Sequence, residues 1–197
     1  GYTVTTGLWA PGILQNEYGV DLNKITFIPT DDEHVAEFKG PPNVDYKFRG
    51  RPMRELLLSG EIDAALGEVG VDDPAIKPLI PNAREAGFDY FRTTGIYPIN
   101  HGVVVKNTLL KDMPWIADEL VRAFEAAKAI YLKDLQGSAQ LSSWDKAAAE
   151  NAAVVGDPFP FGIESNRKAL EAITQFAVDQ KMVPRKFSVD ELFAVPA

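Results

Sequence analysis

Thr93-Thr94-Gly95-Ile96-Tyr97-Pro98-Ile99-Asn100-His101-Gly102-Val103-Val104-Val105 is the stretch on which the fold of this 197-residue chain turns. His101–Val105 is brief and mostly apolar, the pattern expected of a strand buried in a parallel sheet. Thr93–Pro98 reads as a connector leading into it. Upstream, Ile62-Asp63-Ala64-Ala65-Leu66 has the same character, and Ile25-Thr26-Phe27-Ile28 reads as a further short strand. Helical spacing predicts helices over Thr6–Tyr18, Pro52–Ser59 and Ala83–Phe91. Pro11 is expected in the first turn of the first of these, where its missing N–H costs little. After the connector, helices are expected from Pro114 to Leu135, over 142–152, from Glu164 to Lys181 and over Val189–Phe193.

Short strands alternating with helices imply an α/β fold with parallel strands. The alternation is uneven, because the second half carries one strand and then helices. One strand makes no sheet, so partner strands are expected from a segment outside this sequence.

Composition narrows the function classes. The chain is 46% hydrophobic and 24% charged, ordinary for a soluble globular protein and sufficient for one large core or two small ones. Its 20 Lys and Arg stand against 28 Asp and Glu, a net charge of −8 that argues against nucleic acid or an anionic membrane as partner. A local arginine or a helix N-terminus can still attract an anionic ligand. The absence of cysteine excludes disulfides, thiolate metal sites and a cysteine nucleophile. No apolar run approaches the ~20 residues of a membrane span. The first residues lack a signal-peptide pattern, and there is no initiator Met.

Several segments in order then become specific. Tyr2–Val20, Gly60-Glu61-Ile62-Asp63-Ala64, Asp89–His101, Pro114–Ala117, Phe124–Lys128 and Pro160–Arg167 together resemble the 4,5-dihydroxyphthalate decarboxylases. The likeness runs from Tyr2 to Phe193, departing at Thr3, at Pro11 and over residues 30–50. It implies a type II periplasmic-binding-protein-like fold, two lobes with a ligand cleft between them. Residues 1–98 would form lobe 2. Residues 99–197 would return to lobe 1, whose first strands would be absent here.

Candidate residues follow from chemistry and from this resemblance. Thr5 and Thr6 are N-cap residue types, and the helix behind them offers N–H groups to a carboxylate. Arg92, at a helix end, either complements the helix dipole or clamps a substrate carboxylate. Glu68, at the carboxyl end of the Ile62–Leu66 strand, is placed to meet ring hydroxyls or act as a base. Asp63 is expected only to cap structure. Tyr97 and Asn100 lie on the connector and are expected to line the cleft. His101 is either structural or the proton carrier, and the resemblance favours the second reading. His34 with Asp31, Asp32 and Glu33 reads as a solvated acidic loop without metal-ligand spacing. Arg49, Arg51 and Arg54 read as solvated surface.

The expectation is therefore a lyase that removes carbon dioxide from a hydroxylated aromatic carboxylate, with no metal or organic cofactor. Catalysis would rest on His101 and Glu68, and substrate binding on Thr5, Thr6, Arg92, Tyr97 and Asn100. The alternative is a solute-binding protein of an ABC-type transporter, recognising an aromatic or other organic anion, since fold does not choose between them. The enzyme would be cytoplasmic and the receptor periplasmic. The partner in either case is a small-molecule aromatic carboxylate.

Overall fold

Helical spacing in the sequence becomes helix almost throughout. The computed structural model describes residues 1–67, 69–137 and 140–193. In chain order it contains α1 (Thr5–Tyr18), a single 3-10 turn at Leu22–Lys24, α2 (Met53–Ser59), α3 (Ala83–Thr94), α4 (Asn107–Asp112), α5 (Ile116–Gly137), α6 (Ser143–Val155), α7 (Ile163–Asp179) and α8 (Val189–Leu192). α1 and α2 stop where Gly19 and Gly60 turn left-handed, at φ 66° and 74°. Their N–H groups return to Leu14 and to Leu56 and Leu57. This is the C-terminal closure that glycine permits at least cost.

The expected two-lobed α/β architecture of the periplasmic-binding-protein type does not form. Among the described residues there is no strand, and extended pairing consists of one isolated parallel bridge between Phe27 and Val44. Ile62–Leu66 and His101–Val105 are bends and irregular chain. The physical reason is that a strand is defined by its partner, because its N–H and C=O groups must be satisfied laterally. Phe27 finds such a partner: its N–H donates to the Asn43 carbonyl and its carbonyl accepts from Asp45 N–H, both at 2.8 Å. Among the described residues nothing covers Val103 and Val104, which are 66% and 92% exposed.

The chain divides into two units, Gly1–Ala86 with Glu171–Phe187, and Gly87–Leu170 with the residues from Ser188 onward. The first unit packs α1 and α2 with the C-terminal part of α7. Its core holds Tyr2, Trp9, Leu22, Leu56 and Phe176, with Leu56 fully buried. The Trp9 and Phe176 rings meet edge to face at 5.6 Å. Gly12 makes that approach possible, since a Cβ there would fall 2.2 Å from Phe176 Cδ2. Tyr2 is tied to the same corner, its hydroxyl donating to the Gln180 carbonyl at 3.0 Å while Gln180 Nε2 donates to the Leu8 carbonyl at 2.8 Å. Pro11 is buried well inside α1, not in its first turn as expected.

The second unit combines apolar burial with polar contacts between its elements. Its buried residues include Tyr90, Ala148, Ala169, Leu170 and Val189, while α5, 22 residues long, buries none. Lys128 on α5 donates to Asp157 Oδ2 at 2.8 Å and to the Phe159 carbonyl at 3.0 Å, fastening the 156–162 loop. Tyr131 donates to Asp145 at 2.6 Å and lies edge-on to Phe159. Asp145 also completes a capping box with Ser142 at the start of α6. No helix among the described residues is long and apolar enough to cross a membrane.

Candidate functional site

The predicted site residues fall on both units. Thr5 and Thr6 belong to the first, and Arg92, Tyr97, Asn100 and His101 to the second. Glu68 lies outside the described residues.

In the second unit, α3 delivers Arg92 in its last turn, where a cation complements the helix carbonyls. Arg92 Nη1 donates to Asp89 Oδ1 at 2.7 Å, an exposed i,i+3 pair. Gly95, at φ 67°, ends the helix, and its N–H returns to the Phe91 carbonyl at 2.7 Å. The Thr94 hydroxyl donates to the Tyr90 carbonyl at 2.6 Å and accepts from Ile96 N–H at 3.0 Å, which fixes the exit of the chain toward Tyr97. Tyr97 then lies edge-on to Phe91 and accepts a hydrogen bond from Asn151 Nδ2 at 3.2 Å. Asn100 and His101 are exposed on irregular chain. The structure thus links Arg92 to Tyr97 through a hydrogen-bonded turn and adds Asn151, a residue on α6 that lies 54 positions from its partner. No motif announced Asn151; it is one amide on a helix face.

In the first unit, Val4 and not a threonine is the N-cap of α1, without a side-chain cap. Thr5 and Thr6 are the first two helical residues. The donors just ahead of the helix are taken by a residue that sequence reasoning assigned to a solvated loop. Glu33 Oε1 accepts from Tyr2 N–H at 2.7 Å and from the Tyr46 hydroxyl at 3.0 Å. Glu33 Oε2 accepts from Thr3 N–H at 2.9 Å and from the Thr3 hydroxyl at 2.6 Å. Burial pushes this carboxyl up, but the bonds from Thr3, Tyr2 and Tyr46 outweigh it and hold the group below its ordinary value. Burial, with the nearby Tyr46 and Glu33, pushes the Tyr2 phenol up to about 12, so it stays a neutral donor.

Around this corner the charges are locally matched. Asp32 pairs with Arg49 at 3.4 Å, and the Arg49 guanidinium lies over the Tyr46 ring at 4.8 Å. Arg51 is exposed, as expected of surface, and grips Glu61 with two bonds of 2.8 Å. Those bonds, with one from Ser59, hold the Glu61 carboxyl at about 2. A small hollow beside Tyr2 is lined by Asn23, Asn43, Asp179, Gln180 and Lys181 among others. His34 is exposed, and among the described residues no cluster of His, Asp and Glu is placed to hold a metal ion.

Comparison with known proteins places this chain in distant company. No family model matches it. It is 31% identical to the 4,5-dihydroxyphthalate decarboxylase of Comamonas testosteroni over a stretch covering 68% of this chain and 44% of that protein. The match therefore spans less than half the length of the relative, and it supports a distant relationship to it.

Proposed function

We propose that this chain is part of a carboxy-lyase acting on a hydroxylated aromatic carboxylate such as 4,5-dihydroxyphthalate. The observation that carries the proposal is its likeness to a protein named for that reaction. In such a reaction the bond between the ring carbon and the carboxylate breaks, carbon dioxide leaves, and a proton takes its place on the ring. The enzyme must hold a carboxylate, supply that proton and stabilise charge developing on the ring. Arg92 is assigned to a substrate carboxylate, for which it must exchange Asp89 as a partner. Tyr97, held by Asn151, and Asn100 are assigned to substrate contact on the same stretch of chain. His101 is assigned the proton, and its exposure leaves it accessible to a substrate. Thr5 and Thr6 are assigned to carboxylate binding at the start of α1, and Glu68 to the ring hydroxyls.

The test is carbon dioxide release by the full-length protein supplied with 4,5-dihydroxyphthalate. One carbon dioxide per substrate consumed, with the ring hydroxyls retained in the product, is the expected result. Binding of such acids without any release of carbon dioxide would overturn the lyase and leave a solute-binding protein in its place.

A further inference from the structure

Four donors converge on one carboxylate in the first unit: two backbone N–H groups and two hydroxyls, divided evenly between its oxygens. This is the arrangement of a bidentate carboxylate receptor. The receptor side is built to stay in place. Tyr2 is buried, and its own hydroxyl is anchored on the Gln180 carbonyl. Its ring packs against Phe27 and Phe38, at 5.3 and 6.2 Å. Gly1 completes the fit, since a Cβ there would fall 2.9 Å from Glu33 Oε2. The carboxylate side is different. Over residues 31–37 every residue except Glu33 is exposed, and the segment has no regular structure. Besides the Glu33 carboxylate, it is tied down by the Phe38 N–H, which donates to the Val35 carbonyl at 3.0 Å, and by the Asp32–Arg49 pair, half or more exposed on both sides and therefore weak.

We infer that the cradle formed by Tyr2, Thr3 and Tyr46 is a carboxylate-binding site whose resident ligand is the chain's own Glu33, so that segment 31–37 is a tethered plug displaceable by a free carboxylate. The titratable group that bonds Glu33 is the Tyr46 phenol, with Arg49 over its ring and Asp32 paired to that arginine, while the Tyr2 phenol is turned to the Gln180 carbonyl; the site therefore holds a carboxylate by hydrogen bonding more than by net charge. Being tethered, Glu33 competes at an effective concentration on the order of millimolar. Removing it should uncover the site.

The probe is acetate, with acetamide as the neutral control, titrated into the full-length protein while the Tyr2 and Thr3 backbone amides are followed by NMR. This reads binding and not turnover, so its outcome is separate from that of the lyase proposal. In Glu33→Ala both amides should respond saturably to acetate, with a Kd about tenfold or more below that of the wild type. Adding Tyr46→Phe should weaken acetate by about tenfold, the value of one donor to a charged acceptor. Should Glu33→Ala not fold, Glu33→Gln, which retains the shape and loses the charge, decides by the same titration. Equal acetate affinity in wild type and variant, or an acetamide response matching that of acetate, would overturn the inference.

Discussion

Ile25–Ile28 and His101–Val105 are short apolar runs that read alike and end differently. The first is half-buried and held by hydrogen bonds to chain that returns beside it. Phe27 exchanges hydrogen bonds with Asn43 and Asp45, and Asn43 Nδ2 closes the preceding turn on the carbonyls of Leu22 and Ile25, each at 3.1 Å. The second forms no bridge among the described residues and leaves its valines in solvent. The difference lies outside the runs themselves. Asn43 and Val44 are brought back beside Phe27 by a turn at Pro41, whose carbonyl accepts from Val44 N–H at 2.9 Å. Among the described residues nothing comparable returns to Val103. An apolar run proposes a strand, and the chain that comes back to it decides.

This contrast sets a scale of expected effects. The largest belongs to the well-covered unit, where Leu56→Ala empties a fully buried position and should cost about 2–5 kcal/mol by denaturant titration. A cost near zero would mean that this core is not packed as described. Glu33→Gln comes next, at about 1–2 kcal/mol near neutral pH, because it leaves several donors with a poorer acceptor. Its pH dependence carries a definite sign. The folded-state carboxyl is held below its ordinary 4.5, so the stabilisation is fully present above that value and fades as pH falls through the folded-state value. The gap between wild type and variant should therefore close on acidification, and a gap that widened would contradict the hydrogen-bonded carboxylate. The smallest effect is expected at Val104→Ser, within about 0.5 kcal/mol, since the side chain is already in water. A large loss there would show that the run is covered after all and would break the comparison.

Elements with local signatures were legible in the sequence, and elements that depend on distant chain were not. α2 and the expected Pro52–Ser59 differ by one residue, because the Pro before it and Gly60 after it are chemical punctuation. α5 and α7 sit within two residues of the expected ends at each terminus, on the strength of their apolar periodicity. α4 was missed. Its N-cap is Lys106 with no side-chain cap, and its six residues carry too little pattern. The strands failed because the sequence of a strand says nothing about whether a partner arrives. The site divides in the same way. Arg92 at the end of α3 follows from helix length and charge, whereas the Glu33 cradle is invisible from residue types, since two of its four donors are backbone N–H groups that every sequence contains. Only Tyr46 and Thr3 bear a distinctive hydroxyl, 43 positions apart in the chain.

In the proposed lyase the stretch from Arg92 to His101 carries the substrate contacts and the proton, and His101 is its most exacting element. In the full-length protein, His101→Ala should lower kcat for carbon dioxide release from 4,5-dihydroxyphthalate by ~10²–10⁴-fold, as the loss of a positioned proton donor does. Substrate affinity, measured separately by equilibrium binding, should stay within about threefold of the wild type, since the proton is needed in the transition state and not for binding. An unchanged kcat, or a loss confined to affinity, would contradict the assignment of the proton to His101.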